Sequence, residues 1–316
     1  MGSKKQEDVH LPQSIQAQIN AIRSDTTSGS TNLAERAVEI FQRLFQEKKV
    51  ASAYSLKKSL ERTGLALVNA QPEMAILFSL VNGLLLELDP LKEPAEIRQH
   101  GGLFCQRFLH RIKDTPHCIG AYLLDDLRNY ATLLLHSYSS TVLKMLLYAK
   151  SQGCTFSVVC TESRPACEGI LLAKVLAANN IDVTLVTDAA IGSMLSTVDC
   201  TLAGVDALTK EGVWNKTGTM GMLIASWTLR IPSYIISGTE KTLPEKYSPT
   251  YRLRDPQELL SESIDKVKPF NYYFDRTPWK YIQQIVTNEG PLSVSVIQKR
   301  MKTLKLHHVF TPLVNK

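Results

Sequence analysis

TLLLHSYSSTVLKMLLYAKSQGCTFSVVCTE, residues 132–162, decides the fold. Its ends, TLLLHS and FSVVCTE, are short apolar runs, the second rich in β-branched residues, and Ser139 to Gln152 between them is long enough for a helix. A strand covered on both faces is apolar along its whole length instead of at every second position. Each run therefore reads as a buried strand, and the whole stretch as one strand, helix, strand unit of a parallel sheet.

The alternation continues downstream. DVTLVTD, CTLAGVD and PSYIISG are three further runs of the same kind, and Glu168 to Asn179, Ala189 to Leu195 and Thr219 to Leu229 supply the crossover segments. Right-handed crossovers put helices on both faces of such a sheet, so this half is expected to be a Rossmann-like, doubly wound α/β domain. From Asn271 onward the pattern is mixed. FDRTPWKYIQQIVTNEG predicts a helix opened by Pro278 and stopped near Gly290, packed back onto the sheet.

Upstream, Ser14 to Asn129 has a different period. Leu33, Val38, Ile40, Phe41, Leu44 and Phe45 recur at threes and fours with charged residues between them, the mark of an amphipathic helix. Thr31 or Asn32 is expected to cap that helix, and Pro72 with Glu73 to open the next. The chain thus divides into an N-terminal helical domain, 1–129, and a Rossmann-like ligand-binding and dimerisation domain, 130–316, in the α/β class.

Composition narrows the function. The 316 residues are 44% hydrophobic and 21% charged, as in an ordinary soluble globular protein. The net charge of +6 is scattered among acidic residues instead of gathered into a basic run, which favours a small anionic ligand over nucleic acid. Six cysteines show neither CxxC pairs nor the His/Cys spacing of a zinc site, so reduced, packed thiols and no metal or cofactor are expected. MGSKKQEDVHLPQ lacks the apolar core of a signal peptide, and the longest apolar stretch, Met74 to Leu88, is interrupted by Ser79, Asn82 and Glu87. A cytoplasmic protein without a membrane span is the expectation, with disorder only at the N-terminal tip.

Ligands of open α/β sheets bind beyond the carboxyl ends of the strands, and the residues there are polar. They are His136, Ser137, Tyr138 and Ser139; Thr161, Glu162, Ser163 and Arg164; Asp188; and Asp206. Several have two readings. Ser139 and Ser140 lead a helix, where hydroxyls and backbone N–H groups bind phosphate or simply cap the helix. Arg164, ahead of Pro165, offers a bidentate phosphate contact or is an idle surface residue. Asp188 and Asp206 either face the crevice or serve as helix caps or turn formers. His136 suits acid or base chemistry, although a lone histidine beside an apolar strand is more often structural. Asn215, Lys216, Thr217, Gly218 and Thr219 form an anion-cradle composition ahead of a helix. No GxxxxGK[ST] or GxGxxG order is present, which argues against nucleotide cofactors. RSDTTSGSTN, residues 23–32, is a flexible turn or a second cradle.

IRSDTTSGSTNLA, LLLHSYSSTVLKML, VVCTESRPACEG, VTLVTDAAIG, AGVDALTKEGVWNKTGT, NYYFDRTP and IVTNEG, in that order, span nearly the whole chain. With them the chain resembles the alpha, beta and delta subunits of translation initiation factor 2B and their archaeal and bacterial relatives. That superfamily includes ribose-1,5-bisphosphate isomerase and methylthioribose-1-phosphate isomerase. The resemblance implies a crevice in which the isomerases use a cysteine and an aspartate to move a proton between sugar carbons. Asp206 stands for the aspartate, and Ser137 stands where the cysteine would be. A hydroxyl is far too weak an acid to replace a thiol unaided, and HSYS is closer to the non-catalytic alpha subunit's version of the loop. The residues that would grip phosphate are retained by resemblance: Arg23, Ser28, Gly29, Ser139, Arg164, Asn215, Lys216 and Lys241, with His136 beside them. The function expected is therefore an alpha-subunit-like protein that binds a sugar phosphate or nucleoside monophosphate and acts through assembly, as a homodimer or with translation-factor subunits. The alternative is an aldose-ketose isomerase using Asp206 and Ser137.

Overall fold

A computed structural model describes residues 11–25, 28–47 and 52–311; the tip expected to be disordered, 1–10, lies outside them, as do Thr26 and Thr27. Helices α1 (Gln13–Arg23), α2 (Ser30–Gln46), α3 (Ala53–Ala70), α4 (Ala75–Leu88) and α5 (Pro94–Asn129) open the chain. The contacts divide it into two compact units, Met1–His110 with Leu306–Lys316, and Arg111–Lys305. The sequence pattern changes at the end of α5; the contacts divide within it.

In the first unit the threes-and-fours spacing becomes burial. Leu33, Ala37, Val38, Ile40, Phe41, Leu44 and Phe45 of α2 all face inward, and α4 is apolar almost all round. Small residues let the helices close up: a Cβ on Gly64 would lie 2.4 Å from Val81, and one on Gly101 would lie 2.2 Å from Phe45. Two expected helix starts are corrected. Helix α2 begins at Ser30 with Gly29 at its cap, because the Asp25 carboxylate takes the Ser28 N–H just outside it. Pro72 and Glu73 form a turn ahead of α4 instead of its first turn. Gln71 is held elsewhere, its amide donating to the carbonyls of Ile22 and Asp25.

The second unit is built on β1 (Thr132–Leu135), α6 (Ser140–Ser151), β2 (Ser157–Thr161), α7 (Glu168–Ala178), β3 (Val183–Val186), α8 (Ile191–Met194), β4 (Cys200–Ala203), β5 (Ala207–Thr209), β6 (Gly212–Lys216), α9 (Thr219–Leu229), β7 (Ser233–Ser237), β8 (Phe274–Thr277), β9 (Gln284–Thr287), β10 (Gly290–Leu292) and α10 (Val294–Thr303). The seven-stranded sheet runs β10-β9-β7-β4-β1-β2-β3, parallel except for β10. This is the doubly wound strand order, with its switch point between β1 and β4. The five expected strands are β1, β2, β3, β4 and β7, but β3, at the sheet edge, is not buried as expected: Thr184 and Leu185 are exposed, because no strand covers its far side. Successive residues of β1 serve opposite faces: Leu133 and Leu135 pack with Leu146 and Leu172, while Leu134 packs with Met222 and Ile297. That double burial is the reason the strand is apolar throughout.

The helix expected from Pro278 is corrected. Phe274–Thr277 is strand β8, Trp279–Tyr281 a single 3-10 turn, and Gln284–Thr287 strand β9. Strand β8 pairs antiparallel with β6 in a small sheet with β5, and β9 pairs with β7. Partners far away in sequence override the local helical pattern. The crossover at 189–195 is likewise a short α8 between two 3-10 turns.

Candidate functional site

The ends of β1, β2, β4, β6 and β7 carry the polar residues singled out above. His136 follows β1 and is 3% exposed. Its Nε2 lies 2.8 Å from the Thr217 carbonyl and its Nδ1 lies 2.7 Å from the Thr161 hydroxyl. Since Nε2 must donate to the carbonyl, Nδ1 accepts from Thr161. Burial lowers its pKa, opposed by the Thr217 bond and by Asp188 and Glu168. Both ring nitrogens are thus committed within the protein. Gly218 lies against the same ring: its φ is +107°, and a Cβ there would come within 2.7 Å of Nε2, so only glycine fits.

Ser137 sits at φ +69°. Its N–H donates to the Ser163 hydroxyl at 2.8 Å and its own hydroxyl donates to Glu168 Oε1 at 2.9 Å. Glu168 in turn pairs with the Lys216 ammonium, 3.0 Å away. Lys216 is 5% exposed and lies 4.2 Å from the Tyr273 ring centroid. The Tyr273 hydroxyl donates to Glu258 at 2.7 Å; burial and that carboxylate both raise its pKa. The ends of β1 and β6 are therefore joined through a carboxylate on α7.

After β2, the N–H groups of Ser163 and Arg164 each donate to Asp188 at 2.7 Å. Asp188 thus shapes this loop from the end of β3, while the Arg164 side chain is exposed and reaches the Glu258 carbonyl at 3.4 Å. A second convergence forms around the residues after β4. A Cβ on Gly204 would lie 2.6 Å from Ser139 Oγ, and the Lys241 ammonium, 5% exposed, donates to the Val205 carbonyl at 2.6 Å. Asp206 is next, its N–H bound to the Trp214 carbonyl. Ser139 caps α6, accepting from the Val142 N–H at 3.3 Å.

The cradle Asn215–Thr219 already holds an anion. Gly218 N–H at 2.7 Å and Met220 N–H at 3.2 Å donate to the carboxylate of Asp275 on β8, so the positive end of α9 faces the chain's own side chain. Burial pushes the Asp275 pKa up to about 6, and the two backbone bonds oppose that rise. Asn215 donates to the Thr219 hydroxyl at 3.0 Å.

Arg23, Ser28 and Gly29 belong to the helical unit. Arg23 ends α1 and its guanidinium donates to Asn20 at 3.3 Å. Ser28 donates its N–H to Asp25 at 2.8 Å, and Asp25 forms an ion pair with Arg36. Three residues central to the second unit's site were missed in the sequence: Glu168, Tyr273 and Asp275. Each lies inside a motif, VVCTESRPACEG or NYYFDRTP, whose role is not visible until the strands are paired.

A model of the initiation factor 2 subunit family matches residues 26–294. A putative translation initiation factor eIF-2B subunit 2-like protein of Pyrococcus horikoshii is 30% identical over 282 residues, 89% of this chain and 96% of the relative. The ribose 1,5-bisphosphate isomerase of Archaeoglobus fulgidus is 30% identical over 277 residues, 86% of this chain and 87% of the enzyme. Among solved structures, translation initiation factor eIF-2B of P. horikoshii OT3 superposes with a TM-score of 0.78 at 27% identity, covering 90% of this chain and 98% of that one. Among the described residues, no helix is long and apolar enough to cross a membrane.

Proposed function

The chain belongs to the initiation factor 2 subunit family, and from that premise we propose that its strand-end crevice binds a sugar phosphate or nucleoside monophosphate without converting it, the protein acting through assembly with itself or with translation-factor subunits. The observation that carries this reading is the state of Ser137. Its hydroxyl donates to Glu168, whose charge is already matched by Lys216, so a weak acid is held by a carboxylate with no strong base free to activate it. Lys216, paired with Glu168, and Lys241, bonded to the Val205 carbonyl, are buried ammonium groups at the strand ends and are the proposed phosphate contacts. Ser139, Arg164 and Asn215 are the accompanying contacts; Arg23, Ser28 and Gly29, in the helical unit, are proposed from the family resemblance as phosphate-binding residues.

A thermal-shift screen of sugar phosphates and nucleoside monophosphates tests this. A ligand at a hundred times its Kd stabilises by roughly 2.7 kcal/mol, and Lys216→Met and Lys241→Met should abolish the shift. No shift with any compound sinks the reading. Sedimentation should show a dimer; a monomer at all concentrations removes self-assembly.

A second reading is supported by the similarity to ribose 1,5-bisphosphate isomerase and by the place of Asp206 in the turn between β4 and β5, next to Val205, whose carbonyl Lys241 binds. In it, Asp206 and Ser137 move the proton of an aldose-ketose isomerisation. Ribose-1,5-bisphosphate incubated with wild type, Ser137→Cys and Asp206→Asn decides. Turnover by wild type that is lost in Asp206→Asn establishes the enzyme; turnover by none, or by Ser137→Cys alone, leaves the binding protein.

A further inference from the structure

Among the described residues of the helical unit, one group of side chains has the composition of a ligand set. Glu61 on α3 and the adjacent His307 and His308, which follow α10, offer ligand atoms that all lie within 4.8 Å of one another. We propose that Glu61, His307 and His308 form a binding site for a divalent transition-metal ion of the zinc class, with Asp89 or solvent in the fourth position. Two imidazoles and a carboxylate are a donor set that such ions accept.

His307 is held in place before any ion arrives. Asn82, a buried amide in the largely apolar α4, accepts the His307 N–H at 2.8 Å. Three residues on, Phe310 packs against Phe78 of the same helix with centroids 4.9 Å apart. The His307 ring is 3% exposed, and its Nε2 points toward Asp89, 4.0 Å away. His308 is the adaptable member: it is 63% exposed, with Nε2 3.9 Å from Glu61 Oε1. The other oxygen, Oε2, accepts from Lys58 at 2.7 Å, which orients the carboxylate and leaves Oε1 for the ion.

Closing the site takes small movements. Bonds of about 2.0–2.1 Å in a tetrahedron put ligand atoms roughly 3.4 Å apart, so the group must contract by about an ångström, within reach of the exposed His308. His307 Nδ1 now accepts the Val309 N–H over a long 3.3 Å; coordination through Nε2 moves the ring proton to Nδ1 and gives up that contact. Burial, His308 and Lys58 lower the His307 pKa, against Asp89 and Glu61, which raise it. The bound ion would pin the segment that begins at Leu306 to α3 and the end of α4. Sequence spacing gives no hint of this, because the histidine pair has no cysteine or histidine partner nearby.

The full chain, stripped with a chelator, should be titrated with Zn2+ by calorimetry and with Co2+ by visible absorption. One equivalent should bind saturably, with the intense bands of low-coordinate Co2+ and a raised Tm. His308→Ala, at an exposed position, should melt as wild type does in chelator yet bind at least tenfold more weakly, and Glu61→Gln should do the same. Absence of saturable binding at one equivalent, or equal binding by His308→Ala, overturns the proposal; an ion held elsewhere in the chain gives the latter result.

Discussion

Asp275 shows how one side chain changes the reading of a motif. Asn215–Thr219 has the composition of an anion cradle, and the anion it holds is a carboxylate contributed by β8. The environment makes a test possible. Asp275 titrates at about 6 in the fold, against 3.8 for the unperturbed group, so the folded state holds the proton more tightly than the unfolded chain. The resulting stabilisation is complete below pH 3.8 and is lost as pH rises through about 6. Urea unfolding of wild type and Asp275→Asn between pH 4.5 and 7.5 should show wild type losing on the order of 2 kcal/mol relative to the variant. A difference that is flat across this range would show that burial does not govern the group. His136 is a parallel case: its two bonds, to Thr161 and Thr217, show the structural alternative in place, which a lone histidine in a sequence cannot reveal.

Elements were legible where their pattern is local. Helix α9 has the predicted bounds, Thr219–Leu229, and α6 runs Ser140–Ser151 within the predicted segment. Strand β8 was not legible, because its reason for being a strand is its pairing with β6. At α6 the two readings of Ser139 separate by experiment. As the cap bonded to Val142, Ser139→Ala should cost about 1 kcal/mol of stability, measured by denaturant midpoint. If the hydroxyl also contacts phosphate, the ligand-induced thermal shift of the variant falls as well; a cap alone leaves that shift intact.

Across the molecule the cysteines divide by burial. All six are free thiols, with Cys105, Cys154, Cys160 and Cys200 buried and Cys118 and Cys167 partly exposed. Burial alone pushes Cys105 and Cys160 up to about 12, so they resist becoming thiolates. A thiol reagent at pH 8 should therefore label Cys118 and Cys167 in the native protein, and the other four only after denaturation, as read by mass spectrometry of the labelled peptides. Rapid labelling of Cys160 would show the sheet opening locally at β2.

The sequence by itself determined the class of fold and the strands on which the crevice is built. Burial on both faces forces continuous apolar runs and burial on one face forces threes and fours, and both patterns are visible in any short window. The same local reading marked His136 and Ser137 as polar residues at strand ends and Lys216 as part of an anion-cradle composition; Lys241 came from the family resemblance. Only the tertiary structure decided what those residues touch. Glu168 pairs with Lys216, Asp275 fills the end of α9, Gln71 ties α1 to the end of α3, and Glu61 meets His307 and His308. Each of these depends on a distance of a few ångströms between residues far apart in the chain, and a charge chooses its partner by that distance.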